Sequence, residues 1–364
     1  MDVVIATGGT AGHIFPAIAL ARRLRERDVG VTFIGTANGQ EKQLVPEAGF
    51  QLETVEVEPI QDRLSLTALR APLVVARAVR ASRPTVRGAG AVVGMGGYAS
   101  VAAVLAAYST RNPVIIHEQN AVPGLANRLG ARVARVVALS FEEARSKLPK
   151  RTRTVVTGNP VRPEILAVPD AREALAEEAK RTFGLEEGRK TVLVFGGSQG
   201  ALHIDRAICE ASRWLRERAD IQLLVVTGPA HRALVEGAID RSGPLRSVVL
   251  PFLDRMDLAY SLADLVVSRA GATTIAELTV CGLASVLVPY PHATENHQEA
   301  NARALERRDA ASVMLDRQLS GGSLADAIGS MIADEPALRR MGAAAAGCSF
   351  PDADERLANL VMGL

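Results

Sequence analysis

Twice along the chain an unbroken run of β-branched and aliphatic residues stops on a double glycine and passes straight into an alanine- and leucine-rich segment. The first is VVIATGGTAGH, beginning at Val3; the second is TVLVFGGSQGA, beginning at Thr191. A strand that is apolar at every position is buried on both faces, which indicates a parallel sheet with helices on each side. The glycines allow a tight turn at the strand end, and the helix that follows presents unpaired N–H groups there.

The rest of the sequence repeats this alternation. VTFIG, AVVGMGG, VIIHEQN, RVVALSF and TVVTGNP continue it in the first half, and IQLLVVTGP, SVVLPF, LVVSRAG and SVLVPYP in the second. Residues 164–190 are charged and lack a buried-strand pattern, so they read as a linker and an entry helix. At 364 residues the chain is too long for one typical core. The expected fold class is therefore α/β, with two Rossmann-like domains dividing near residues 158–162. Two such units facing each other would form a cleft lined by glycine turns at the carboxyl ends of parallel strands, where open α/β sheets bind ligands. The tail, FPDADERLANLVMGL, reads as a short amphipathic helix able to pack on either domain.

Composition narrows the function. Aromatics are 4 % and the formal net charge is +2, so neither stacking platforms nor a general basic surface points to nucleic acid. Cys209, Cys281 and Cys348 are too scattered for a disulfide framework or a metal cluster, and suit a reducing compartment. MDVVIA reads as a first strand and not as a secretory signal. No apolar run reaches the roughly 20 residues of a spanning helix, which leaves contact with a membrane surface open.

The turns can receive a phosphate or a developing negative charge. GGTAGH is neither a Walker loop nor GxGxxG, and a tight turn without ligand is its plain alternative. GGSQGA adds Ser198 and Gln199 as donors, and GMGGYAS brings Gly96, Gly97 and Tyr98 to a third strand end. His13, one residue past the first turn, is a candidate base kept neutral by the helix amino terminus, or a histidine bonded near a helix end. Glu118 and Asn120 of HEQN could bind sugar hydroxyls or serve loop polarity alone. Glu277, in SRAGATTIAEL, could hold a ribose or lie in solvent. PYPHATENHQEANA offers His292, Glu295, Asn296, His297, Gln298 and Asn301 to a sugar; its histidines lack metal-ligand spacing. Residues 64–87 carry Arg70, Arg77, Arg80, Arg83 and Arg87 beside apolar positions and no acidic residue. That pattern fits an anionic lipid surface, or a helix with its arginines in water.

Together GGTAGHIFPAIALA, GMGGYAS, HEQNAVPGLANR, GNPVR, GGSQGA, SRAGATTIAEL and ENHQEANA give the sequence a family resemblance. It resembles the bacterial glycosyltransferases that add N-acetylglucosamine to the lipid-linked muramyl-pentapeptide precursor of peptidoglycan, making lipid II from lipid I (the MurG family). The resemblance implies a GT-B fold: an acceptor- and membrane-binding domain at 1–160, joined by 346–364, and a UDP-sugar domain at 161–345, with the last helix returning to the first domain. It implies an inverting transfer from UDP-N-acetylglucosamine to the C4 hydroxyl of the muramyl sugar. His13 would be the base, with Glu118 as an alternative or an orienting partner. Thr10, Gly12, Asn120, Arg162, Gly197, Ser198, Gln199, Gly200, Glu277, Gln298 and Asn301 would bind the donor. Gly9, Thr10, Gly96, Gly97 and Tyr98 would meet the acceptor. No metal and no cofactor would be required, since the UDP-sugar is a substrate. The partners implied are UDP-N-acetylglucosamine, lipid I, an anionic inner-leaflet surface and other cell-wall synthesis proteins, with no nucleic acid. The place implied is the cytoplasmic face of the plasma membrane, held peripherally. Another GT-B UDP-sugar transferase or a UDP-N-acetylglucosamine 2-epimerase-like enzyme is the alternative.

Overall fold

The computed structural model describes residues 1–9, 11–56, 66–197 and 200–363, with the backbone alone for Ala11, residues 66–72 and Tyr98. The chain divides into two compact units, Met1–Arg162 with Phe350–Leu364, and Pro163–Ser349.

The first unit is built on seven strands: β1 (Asp2–Ala6), β2 (Gly30–Thr36), β3 (Gln51–Val55), β4 (Ala91–Gly94), β5 (Val114–Glu118), β6 (Val136–Leu139) and β7 (Thr154–Val156). Their order is β3-β2-β1-β4-β5-β6-β7, and every neighbouring pair is parallel. Residues of β1 alternate between two cores: Val3 and Ile5 pack on one face, Val4 and Ala6 on the other. Two dry faces explain why the strand reads as continuously apolar. The helix Tyr98–Thr110, rich in Ala and Val, fills the second face.

In the second unit β8 (Lys190–Phe195), β9 (Ile221–Val226), β10 (Arg246–Leu250), β11 (Leu265–Ser268), β12 (Ser285–Leu287) and β13 (Ser312–Val313) form a parallel sheet in the order β10-β9-β8-β11-β12-β13. Both sheets run outward from a central strand in two directions, the mark of a doubly wound fold.

The tail forms the helix Ala353–Met362 and returns to the first unit. Leu357, Ala358 and Val361 are fully buried in the same core as Ile14 and Leu24, and Arg23 Nε donates to Asp354 Oδ2 at 2.9 Å. Two short edges, β3 and β13, have no counterpart in the strand pattern read from the sequence.

Candidate active site

In each sheet the strand order reverses beside the first strand: between β1 and β4 in one, between β8 and β11 in the other. The loops leaving those four strands are GGTAGH, GMGGYAS, GGSQGA and SRAGA. Loops at such a reversal diverge to opposite sides of the sheet and leave a crevice at the strand ends, the usual ligand site of an open α/β fold.

In the first unit Met95 N donates to Ala6 O at 2.8 Å, which ties the end of β4 to the end of β1. The two glycine turns then meet backbone to backbone. Gly97 has φ +84°, and a Cβ there would stand 2.4 Å from Gly8 O, so a side chain is excluded. His13 is the third residue of the helix Ala11–Arg25, and its ring lies over Gly96. Its Nδ1 is 3.0 Å from Gln119 Oε1, while Gln119 Nε2 donates to Met95 O at 2.8 Å. Gly9 and Gly12 border the same turn. Thr10 lies outside the described residues, as does the side chain of Tyr98.

The HEQN segment carries β5 into a loop, and its residues divide the work. His117 is fully buried, and its Nε2 bonds Gly158 O at 3.0 Å. Burial pushes its pKa down to about 4, so the ring is neutral. Glu118 is also buried, and both its oxygens serve the loop. Oε1 accepts from Asn120 N at 2.8 Å and Asn120 Nδ2 at 3.3 Å; Oε2 accepts from Asn127 Nδ2 at 2.8 Å and Gly124 N at 3.2 Å. Burial raises its pKa against the pull of those donors. A carboxylate so enclosed orders the loop that carries Asn120, in keeping with the orienting role of the two expected for Glu118. Arg162 stacks over Phe15 at 4.9 Å, which holds its guanidinium against the first helix.

In the second unit Gly200, at φ +74°, lies so close to β9 that a Cβ would stand 2.0 Å from Thr227 O. Gly196 and Gly197 complete the visible part of the turn; Ser198 and Gln199 lie outside the described residues. Beneath it His231 Nδ1 is 2.7 Å from Asp205 Oδ2, a pair that sequence reading missed although TGPAH follows β9 as another glycine turn at a strand end.

Glu277 is 6 % exposed and accepts from Tyr260 OH at 2.9 Å, which overturns the solvated reading. Asn301 is fully buried, and its Nδ2 donates to Ala270 O at 3.2 Å, which ties it to the SRAG turn. Gln298 Oε1 accepts from Tyr290 N at 3.0 Å and joins the PYPH segment to its helix. Between them Glu295 and Asn296 both adopt left-handed backbone, at φ +53° and +54°. Two consecutive non-glycine residues in that region mark strain of the kind that collects at ligand sites.

The chain matches two family models, Glycosyltransferase family 28 N-terminal domain over residues 3–139 and Glycosyltransferase family 28 C-terminal domain over residues 191–357. It is 40 % identical over 370 residues to the UDP-N-acetylglucosamine--N-acetylmuramyl-(pentapeptide) pyrophosphoryl-undecaprenol N-acetylglucosamine transferase of Halothermothrix orenii, covering 99 % of this chain and 98 % of that protein. The protein of the same name from Acidothermus cellulolyticus is 42 % identical over 367 residues, covering 99 % and 97 %. Among solved structures, Acinetobacter baumannii MurG aligns with a TM-score of 0.81 and 28 % identity, covering 100 % of this chain and 99 % of that one.

Proposed function

The chain belongs to glycosyltransferase family 28, and from that premise we infer that it moves N-acetylglucosamine from UDP-N-acetylglucosamine to lipid I, forming lipid II. Its two Rossmann-like domains are those of the GT-B fold. The observation that carries the reading is the extent of the likeness. It runs through both domains, whereas a likeness limited to the UDP-sugar domain would leave the acceptor unspecified. UDP-N-acetylglucosamine is a substrate here and not a cofactor.

The donor half-site lies on the second domain. The turn around Gly197 and Gly200 takes the diphosphate with its backbone amides, with Ser198 and Gln199 as further donors, and Glu277 takes the ribose. Gln298 meets the sugar, and the family resemblance assigns Asn120, Gly12 and Arg162 to the donor as well. The acceptor half-site is the paired turn of Gly9, Gly96 and Gly97, and the family resemblance assigns Thr10 and Tyr98 to the acceptor as well. As the C4 oxygen of the muramyl sugar bonds to the anomeric carbon, its proton passes to His13. The bond from that carbon to the β-phosphate oxygen breaks on the opposite face, and UDP leaves with the electron pair. Attack from the face opposite the leaving group turns an α-linked donor into a β-1,4 product. A preorganised amide that meets the charge on departing UDP is worth about 2.7–4 kcal/mol in a comparable site.

Lipid I carries its sugar on a polyprenyl chain, so the first domain has to work at a lipid surface. Among the described residues no helix is long and apolar enough to cross a membrane. The helix Leu66–Arg87 instead exposes Leu73, Arg77, Arg80, Arg83 and Arg87, and the helix packed beside it exposes Leu105 and Tyr108. Leu64 and the side chain of Arg70 lie outside the described residues. This surface docks on the anionic inner leaflet.

The deciding assay combines labelled UDP-N-acetylglucosamine with a short-chain lipid I analogue. Transfer to the analogue is expected, with UDP released only when the analogue is present; release without it points to the epimerase-like alternative. His13→Ala is expected to lower kcat by about 10²–10⁴-fold, the contribution of a positioned base, with UDP affinity unchanged. A folded variant that transfers at full rate removes His13 from that role.

A further inference from the structure

Gln119 has no part in the roles above, yet its side chain touches His13. It follows β5 directly and is 1 % exposed. Its amide faces two partners of unequal freedom. Met95 O, 2.8 Å away, is a carbonyl and can only accept, so the NH₂ end of Gln119 has to face it. The oxygen end then faces His13 Nδ1 at 3.0 Å. An amide oxygen can only accept, so Nδ1 has to carry a proton. In the neutral imidazole the lone pair therefore sits on Nε2.

We propose that Gln119 is a positioning residue that locks His13 in the Nδ1–H tautomer and aims Nε2 as the atom that takes the acceptor's proton. The lock is rigid because Met95 is itself fixed, its N–H bonded to Ala6 O at the end of β1. Three adjacent strands, β1, β4 and β5, thus set one imidazole on the first turn of the helix Ala11–Arg25. The ring has room because Gly96 has no side chain: a Cβ there would stand 3.0 Å from His13 Cε1. When Nε2 accepts the proton, the imidazolium keeps its Nδ1–H bond to Gln119, so the contact serves both states of the ring. An uncharged partner orients the histidine without holding it protonated, as a carboxylate would.

Other ionisable groups lie near. His117 on β5 is neutral, Glu118 is enclosed by its own loop, Glu41 lies beside Gly8 and accepts from Thr36, and Arg162 stacks on Phe15. The bond at Nδ1 is to Gln119.

The inference rests on His13 being the base, and two measurements separate the claims. In the intact protein labelled with ¹⁵N-histidine, with His13→Asn used to assign its signals, the neutral ring of His13 should show a protonated Nδ1 and an unprotonated Nε2. The reverse tautomer overturns the proposal whatever the activity. In the transfer assay Gln119→Leu should lower kcat by about 10–100-fold at little change in KM, the span seen when the partner that orients a metal-bound imidazole is removed. Gln119→Glu should move the acid limb of the kcat/KM profile upward by about one to three units, since a carboxylate then faces Nδ1. An unmoved limb in a folded Gln119→Glu protein overturns the proposal. Full activity in His13→Ala, with the Nδ1–H tautomer still observed, instead defeats the base assignment.

Discussion

His117 lies at the end of β5 and His13 in the first turn of the helix Ala11–Arg25, and their surroundings give them opposite tasks. His117 is sealed at 0 % exposure, donates to Gly158 O, and is pushed down to about 4 by burial. In the unfolded chain it titrates near 6.5, so between those values the unfolded state takes up a proton that the folded state refuses. Its contribution is therefore complete above about pH 6.5 and is lost as pH falls towards 4. At pH 4.5 the loss is on the order of 2–3 kcal/mol. Urea unfolding at pH 7 and pH 4.5 should show wild type losing that much more stability than His117→Asn, which has no ring to protonate. Glu118, raised by burial, changes in the opposite sense, but it is present in both proteins and cancels in the comparison. Equal losses in the two proteins exclude this account. The same neighbourhood limits what the sequence could reveal. His13 stood out because a histidine beside a glycine turn is unusual chemistry for that place. Gln119 did not, because a glutamine after a strand acquires meaning only once its amide is known to lie between a carbonyl and an imidazole.

Whole elements were legible wherever burial left its mark on the residue pattern. Strands dry on both faces, such as VVIA and IQLLVV, admit hardly any polar residue, so the two sheets and their glycine turns could be read directly. The edge strand Gln51–Val55 could not: three of its five residues are exposed, and QLETV has neither continuity nor a clean alternation. Nor could the pattern tell which domain the tail helix would join, since any apolar stripe at helical spacing would take it. Its place follows from long-range contacts: Leu357 and Val361, one turn apart, enter the first core, and Asp354 meets Arg23 from the helix Ala11–Arg25. Because Leu357 is fully buried, Leu357→Ala should destabilise the first unit by about 2–5 kcal/mol. Calorimetry should show one transition moving down while UDP binding, proposed above for the second unit, stays as in wild type when measured at a temperature where both proteins are folded. A loss of UDP affinity at that temperature would mean that the helix acts on more than the core it enters.

For the molecule as a whole, near-neutral charge conceals a strong local imbalance. The chain totals +2, yet from Leu66 to Arg135 its only acidic residue is the buried Glu118, against arginines at 70, 77, 80, 83, 87, 111, 128, 132 and 135. The helices Leu66–Arg87, Tyr98–Thr110 and Leu125–Gly130 pack in sequence on one another, and they leave Leu73, Leu105, Tyr108, Leu125 and Leu129 exposed. Apolar side chains beside many cations, with Glu53 at Thr85 as an anion against the same helix, fit a surface that is oily within and negative at its head groups. The two contributions can be told apart by salt. Exposed arginines act through a field screened over about 10 Å at 0.1 M, whereas burial of Leu73 in the acyl boundary does not depend on ionic strength. Flotation with vesicles rich in anionic lipid should therefore show binding that weakens as salt is raised. Replacing Arg77, Arg80, Arg83 and Arg87 by Gln should weaken it by about fivefold per residue at low salt, from about 1 kcal/mol each, and flatten the salt dependence. Leu73→Ser with Tyr108→Ser should weaken binding while leaving the salt slope as it was. Equal binding to neutral and anionic vesicles, unmoved by the arginine substitutions, would assign this face to water and send the search for the lipid contact to another part of the first domain.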